Sequence, residues 1–328
     1  MLSFSGKKVC ITGGAGFIGS NLTIDLAEAG AQVVVIDAML PEYGANLANL
    51  ESVKDRIEIV VSPMDDKAVL AEVVKDVDYI FNLAGVTSHA DSIADPMQDL
   101  QLNTVAQLNL MEVCREHNPN VTVVLSSTRQ VYGATGQAPV TEDSPVNPPD
   151  INAIHQYAAE DYHQVYARLF GLKTVILRLT NTYGPRVQIK NSRQGFMGWF
   201  LNRGLEGENI ELFGGGMQFR DFTYVSDVVE ALKIAAGLSE QTGQIYNIGG
   251  FKHSLKEVAM IIADLCPDCR VVETSFPEDL KKIDIGNYES GSRKFFEATG
   301  WAPSVTLQDG LAATVGFYQQ RRELYLPQ

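Results

Sequence analysis

The first half of this 328-residue chain alternates between two hydrophobic patterns. Short, nearly continuous apolar runs predict buried strands at 8–12, 32–37, 57–62, 78–83, 121–126 and 173–179. Between them, apolar residues recur at helical spacing at 17–30, 66–75, 98–117 and 153–170. Strands that alternate with helices predict a parallel sheet covered on both faces, and right-handed crossovers then give a doubly wound α/β fold.

A glycine-rich turn joins the first strand to the first helix, where residues 11–20 read Ile-Thr-Gly-Gly-Ala-Gly-Phe-Ile-Gly-Ser. The glycines permit a tight turn, a close approach of the backbone to a pyrophosphate, and close packing of the helix on the strand. The N–H groups at the start of the helix favour phosphate. The turn residues expected to bind the cofactor are Gly13, Gly16, Phe17, Ile18 and Gly19.

Asp37 closes the second strand, 18 residues beyond Gly19. An acid near this spacing accepts from the ribose hydroxyl of NAD and repels the 2′-phosphate of NADP. The alternative is an ordinary βαβ crossover with no ligand. We therefore predict that residues 1–180 form an NAD-binding Rossmann domain.

After residue 181 glycine and aromatic residues become more frequent and the apolar runs become shorter. This change predicts a smaller C-terminal lobe that binds the substrate, mainly within 181–328. Residues 224–249 are expected to return to the first domain. Ligands of doubly wound sheets bind beyond the carboxyl ends of the strands, which directs attention to 83–85, 126–128 and 179–181.

Charge and cysteine content narrow the choice of function. The chain has 26 basic and 40 acidic residues, a net charge of −14, which argues against nucleic-acid or anionic-membrane binding. No apolar run reaches the length of a membrane span and the N-terminus lacks a signal-peptide pattern, so we expect a soluble, cytoplasmic protein. The four cysteines do not form a disulfide framework. The CxxC at 266–269 has no second pair of matching spacing, so we expect no metal.

Further motifs span the chain from about Lys8 to about Tyr318, and they include the segments 82–85, 126–133, 177–186, 220–225, 246–250 and 299–301. Their order resembles the extended short-chain dehydrogenase/reductase superfamily, specifically the nucleotide-sugar epimerases and dehydratases. In that family NAD takes a hydride from the sugar while a Tyr takes the hydroxyl proton. A Lys four residues after the Tyr lowers its pKa. In epimerases the hydride then returns to the other face of the sugar.

The sequence departs from this pattern at the Tyr-x-x-x-Lys pair. Asn152 stands at the Tyr position and Gln156 at the Lys position, and neither side chain can act as a base near neutral pH. Thr128 retains the Ser/Thr position. His155, three residues after Asn152, and His89, after a strand end expected to border the nicotinamide, are candidate replacement bases. Tyr132 is a third candidate, although the resemblance implies a structural role for it.

The resemblance also implies further contacts. For the cofactor they are Leu83, Ala84 and Gly85, the backbone of Met64 near the adenine, where Pro63 replaces an Asp frequent in the family, and Gln156 on the nicotinamide ribose. For the substrate they are Thr128, Asn181, Arg220 on the diphosphate, Arg193 and Phe213 on phosphate and base, and Lys281 with Asp284. Arg129-Gln130 replaces the Asp-Glu of the dehydratases, so a 4,6-dehydratase is not expected.

We therefore predict an NAD-dependent nucleotide-sugar epimerase-like enzyme, an isomerase, with an atypical proton-transfer group. Two alternatives remain open: an NAD- or nucleotide-sugar-binding protein without catalysis, and redirected non-redox chemistry on the same scaffold. The resemblance also implies a homodimer, in which the helices at 98–117 and 153–170 pair with their symmetry mates as a four-helix bundle.

Overall fold

The computed structural model describes residues 2–136, 138–191, 195–238, 240, 242–275 and 286–326. Its strands are β1 (Lys8–Thr12), β2 (Gln32–Asp37), β3 (Ile57–Val61), β4 (Tyr79–Asn82), β5 (Thr122–Thr128), β6 (Lys173–Leu179), β7 (Asn181–Tyr183), β8 (Ile210–Phe213), β9 (Phe219–Tyr224), β10 (Gln244–Ile248), β11 (Phe251–Ser254) and β12 (Val271–Thr274).

The helices are α1 (Phe17–Glu28), α2 (Lys67–Val74), α3 (His89–Ala94), α4 (Pro96–Leu100), α5 (Ala106–His117), α6 (Ile151–Phe170), α7 (Phe196–Glu206), α8 (Val225–Ala235), α9 (Leu255–Leu265), α10 (Arg293–Thr299), α11 (Leu307–Gln320) and α12 (Arg322–Tyr325). Among the described residues, no helix has the length and apolar character that a membrane span requires.

Seven parallel strands form the main sheet, in the order β10-β6-β5-β4-β1-β2-β3. The order reverses at β1, which pairs with β2 on one side and with β4 on the other. The predicted doubly wound α/β fold is therefore confirmed. Such a reversal opens a crevice beyond the carboxyl ends of the strands, and a ligand can bind there.

The helical region predicted at 98–117 starts earlier and is less regular than its periodicity indicates. It begins at Pro96, because Asp95 Oδ1 accepts a hydrogen bond from Gln98 N at 3.0 Å. A π-helical turn at Gln101–Val105 then separates α4 from α5. Such turns are frequent at functional sites, and this one contains Asn103.

The second lobe has its own hydrophobic core. Side chains of α7, β8, α9 and α11 pack together there, including Leu201, Ile210, Val258 and Leu311. The segment 224–249 belongs to the other core, because α8 packs with α1 and β10 pairs with β6. β11, β9 and β7 form a small separate sheet, whose Tyr183 and Phe222 pack into the core of the second lobe.

Candidate active site

One cavity of about 930 Å³ follows the carboxyl ends of β1, β4, β5 and β6 and extends to the second lobe. This volume is in the range usual for ligand sites. All nine residues of the three strand ends singled out in the sequence, at 83–85, 126–128 and 179–181, line it. It is also lined by every candidate cofactor residue: Gly13, Gly16, Phe17, Ile18, Gly19, Asp37, Met64, Leu83, Ala84, Gly85 and Gln156.

The glycine turn is shaped as a phosphate cradle. Gly13 has φ +68°, and a Cβ there would lie 2.9 Å from Leu83 O. A Cβ at Gly19 would lie 2.2 Å from Gly13 O, so only glycine lets α1 start this close to β1. The N-cap residue of α1, Gly16, has no side chain, and no side chain caps the first-turn N–H groups. This end of α1 therefore fits a diphosphate.

Asp37 is held at the end of β2 by backbone groups. Its Oδ2 accepts from Ala15 N at 3.0 Å and its Oδ1 from Met39 N at 2.8 Å. Burial raises the pKa of this carboxyl, although the two N–H donors lower it. Asp37 borders the cavity and is placed to meet a ribose diol.

Asp65 is a cavity residue that the sequence interpretation missed. It follows Met64 directly, lines the cavity, and its Oδ2 accepts from Gln101 Nε2 at 3.3 Å. The neighbouring Asp66 instead caps α2. The sequence did contain a signal for it. The resemblance places an Asp at the end of this strand, and Asp65 lies only two residues after Pro63, which occupies that position.

Hydrogen bonds connect the loop after β4 to the end of β1. Thr12 donates to Asn82 Oδ1 at 2.9 Å, and its hydroxyl accepts from the N–H groups of Leu83 and Ala84, both at 3.1 Å. Asn82 Nδ2 in turn lies 3.3 Å from His163 Nε2. A buried chain of hydrogen bonds thus fixes the loop that borders the cofactor region.

Asn152, at the family's Tyr position, is buried and does not line the cavity. Its amide donates to Val86 O at 2.8 Å and to Asp99 Oδ2 at 2.9 Å. Its side chain therefore joins the loop after β4 to α4. We do not assign it a direct contact with a substrate hydroxyl.

Gln156, at the Lys position, does line the cavity. Its Nε2 donates to Asn103 Oδ1 at 3.1 Å and to Val86 O at 3.3 Å. Asn103 also holds both backbone groups of Val86, at 2.9 and 3.0 Å. Because the amide nitrogen faces two acceptors, its oxygen is left to accept from a ligand hydroxyl.

The two candidate histidines lie in different surroundings. His155 is mostly buried, is not among the residues that line the cavity, and has Nδ1 2.6 Å from Asp99 Oδ1. His89 lines the cavity, and its Nδ1 lies 2.7 Å from Asp150 Oδ2. Burial raises the pKa of Asp150, but the contact with His89 and further hydrogen bonds outweigh this and lower it. The geometry therefore separates the candidates and favours His89 as the group that can reach a ligand.

The hydroxyl of Thr128 lies on the cavity at the end of β5. Its Oγ1 accepts from Gln130 N at 3.1 Å, so the hydroxyl hydrogen can still be donated to a ligand. Thr128 is therefore able to hydrogen-bond a sugar oxygen.

Three of the expected substrate residues, Asn181, Phe213 and Arg220, line the part of the cavity formed by β7, β8 and β9. Asn181 Nδ2 donates to Asp221 O at 2.9 Å, and the buried Arg220 donates to Phe219 O at 3.0 Å and to Gly286 O. Trp199, which the sequence interpretation did not single out, stacks with Phe213 at 6.3 Å between ring centroids. Arg193, Lys281 and Asp284 lie outside the described residues.

The comparisons with known proteins agree on one family. Residues 9–249 match the model of the NAD dependent epimerase/dehydratase family. A UDP-glucose 4-epimerase of Mycolicibacterium smegmatis is 33% identical over 322 residues, which are 96% of this chain and 100% of that protein.

Solved structures of an epimerase and a dehydratase are also similar to this chain. An epimerase of Methanothermobacter thermautotrophicus has a TM-score of 0.89 at 28% identity, covering 98% of this chain and 95% of its own. A dTDP-glucose 4,6-dehydratase of Streptomyces venezuelae, crystallised with NAD, has a TM-score of 0.85 at 28% identity, covering 98% and 99%. With the phosphate cradle and Asp37 in place, this chain belongs to the NAD dependent epimerase/dehydratase family, and its cofactor is NAD.

Proposed function

We propose that this chain is an NAD-dependent epimerase of a nucleotide-linked sugar in which His89, held by Asp150, replaces the family's Tyr as the proton-transfer group. Family membership supports an activity of this kind on a nucleotide sugar. The observation that carries the proposal is the placement of His89 on the cavity while Asn152 and His155 lie outside its lining.

The residues around the cofactor region fit NAD. Gly13 and Gly19 form the cradle at the start of α1, Asp37 meets the ribose diol, and Gln156 offers an acceptor toward the nicotinamide ribose. When bound, NAD supplies a reversible hydride acceptor. The chain's own residues must then hold the sugar and accept and return its hydroxyl proton.

His89 is suited to that proton transfer. His89 Nδ1 is buried and lies 2.7 Å from Asp150 Oδ2, which leaves Nε2 as the nitrogen that can meet the hydroxyl. Thr128, at the end of β5, can orient the same hydroxyl through its own oxygen. An epimerase must return the proton after the sugar has turned, and an imidazole nitrogen can accept a proton and donate it again.

The test compares His89→Asn with His155→Asn as the matched control. Both variants and the parent are incubated with UDP-, dTDP-, GDP- and CDP-sugars, and the product epimers and NADH absorbance are followed. We expect His89→Asn to lower turnover by about 10² or more, the usual value of a general base, while the affinity for NAD stays unchanged. His155→Asn should retain turnover.

Unchanged turnover in His89→Asn would contradict the role of His89. The alternative of a binding protein without catalysis is favoured by the joint loss of Tyr and Lys at 152 and 156. It predicts that nucleotide sugars bind to the parent protein with no epimer and no NADH formed from any of them.

A further inference from the structure

We infer that the sugar carries a carboxylate and that Arg129 binds it, so that the substrate is a nucleotide-linked uronic acid or a similar acidic sugar. The inference rests on the proposed function and adds the class of sugar. It is argued from the position of Arg129 beside Thr128 and from the distribution of charge along the cavity.

Arg129 lies at the end of β5, directly after Thr128, and starts the short helical turn Arg129–Tyr132. Both residues line the cavity. Because Thr128 is the residue expected to meet the reacting hydroxyl, the neighbouring side chain borders the same sugar rather than the nucleotide. Arg129 is therefore a candidate for choosing between sugars.

The guanidinium of Arg129 lies over an aromatic ring. Its Cζ lies 4.7 Å from the centroid of the Tyr288 ring, and this ring is almost fully buried. Stacking of this kind stabilises a cation and restricts its rotation. An arginine that is ordered before the ligand arrives loses less entropy when it binds a carboxylate.

Asp221 lies behind Arg129 rather than in the cavity lining. It is almost fully buried and accepts from Ser290 N at 3.3 Å, and the charge of Arg129 acts on it. Burial raises the pKa of Asp221 to about 6 even though the charge of Arg129 lowers it. The opposite charges of Asp221 and Arg129 therefore attract each other.

The charges along the cavity are distributed unevenly. Among the described lining residues, the arginines are Arg129 and Arg220 and there is no lysine, in a chain whose net charge is −14. Arg220, on β9, is the proposed partner of the diphosphate. A second arginine, from another element and next to Thr128, can bind a second anionic group on the ligand, and a planar fork matches a carboxylate in two hydrogen bonds.

The experiment measures affinities of the NAD-loaded protein by calorimetry. The probes are UDP, UDP-glucose and UDP-glucuronate, and GDP, GDP-mannose and GDP-mannuronate. We expect the uronate of the recognised nucleotide to bind about tenfold or more tightly than the hexose, as suits a charge-assisted pair. Arg129→Gln should remove this preference without changing the affinity for the nucleotide alone, and Arg129→Lys should restore part of it.

Arg220→Gln is the matched control, and it should weaken all three ligands of a series alike. Equal affinity of the parent for hexose and uronate would overturn the inference and leave the proposed function standing. So would an Arg129→Gln variant that loses affinity for the nucleotide alone, because Arg129 would then belong to the diphosphate site. If no nucleotide or nucleotide sugar binds, the proposed function itself fails.

Discussion

At the scale of single residues, Asp37 has two roles that one substitution would separate. We expect Asp37→Ala to relax the preference for NAD over NADP, since the carboxylate both accepts from the diol and repels a 2′-phosphate. The N–H groups of Ala15 and Met39 also lose their acceptor, so the free energy of unfolding should fall by about 1–3 kcal/mol. Calorimetry with each cofactor and thermal unfolding measure the two effects.

Asp65→Ala is the control for Asp37, because Asp65 lines the same cavity but follows β3. Asp65→Ala should change the affinities for NAD and NADP by a similar factor, so that the preference for NAD over NADP stays the same. Equal affinity of the parent protein for the two cofactors would show that Asp37 does not discriminate between them.

At the scale of elements, α6 is joined to the main sheet through His163. Its Nδ1 donates to Ala159 O at 2.8 Å and its Nε2 accepts from Asn82, so the fold holds the neutral ring. Burial lowers the pKa of His163 from 6.5 to about 4. The unfolded chain therefore binds a proton more readily than the folded chain between these two values.

It follows that the stability from this site is complete above pH 6.5 and is lost as the pH falls toward 4. The loss should reach about 3 kcal/mol near pH 4. Chemical denaturation of the parent and of His163→Gln from pH 4 to 8 measures it, and the slope between pH 4 and 6.5 should flatten in the variant. Equal slopes would mean that His163 is not the group responsible.

At the scale of the whole molecule, we predict a homodimer formed through α4, α5 and α6. Large apolar side chains are exposed on α4 and α6 and on α3, which packs against both: Met97, Ile154 and Ile93 have exposed fractions of 69%, 54% and 58%. A two-fold interface would cover them. Light scattering at micromolar concentration should give the mass of a dimer, and Ile154→Lys should shift it to a monomer. Met260→Lys, on α9 of the other lobe, should leave the mass unchanged, and a parent of monomer mass would refute the prediction.

Much of the fold could be predicted because its signals are local. Periodicity located β1, β2 and β6 to the residue, and α6 begins earlier than predicted because Asp150 caps it. The residues around the cofactor region could also be predicted, since glycine spacing and the ends of strands can be recognised in the sequence. The surroundings of the two histidines could not be predicted from the sequence, because they depend on which carboxylate each imidazole contacts in the fold. The contacts of His89 with Asp150 and of His155 with Asp99 join residues 61 and 56 positions apart.

The double role of Asp99 has a consequence for which substitutions this site can tolerate. Its two oxygens are shared between Asn152 and His155, and the amide of Asn152 also binds the loop after β4. A tyrosine placed at position 152 would leave one oxygen of a buried carboxylate without its donor, and its ring would have to displace that loop or α4. Because these side chains depend on one another, an exchange at 152 alone is expected to cost more stability than the same exchange made together with a change of Asp99.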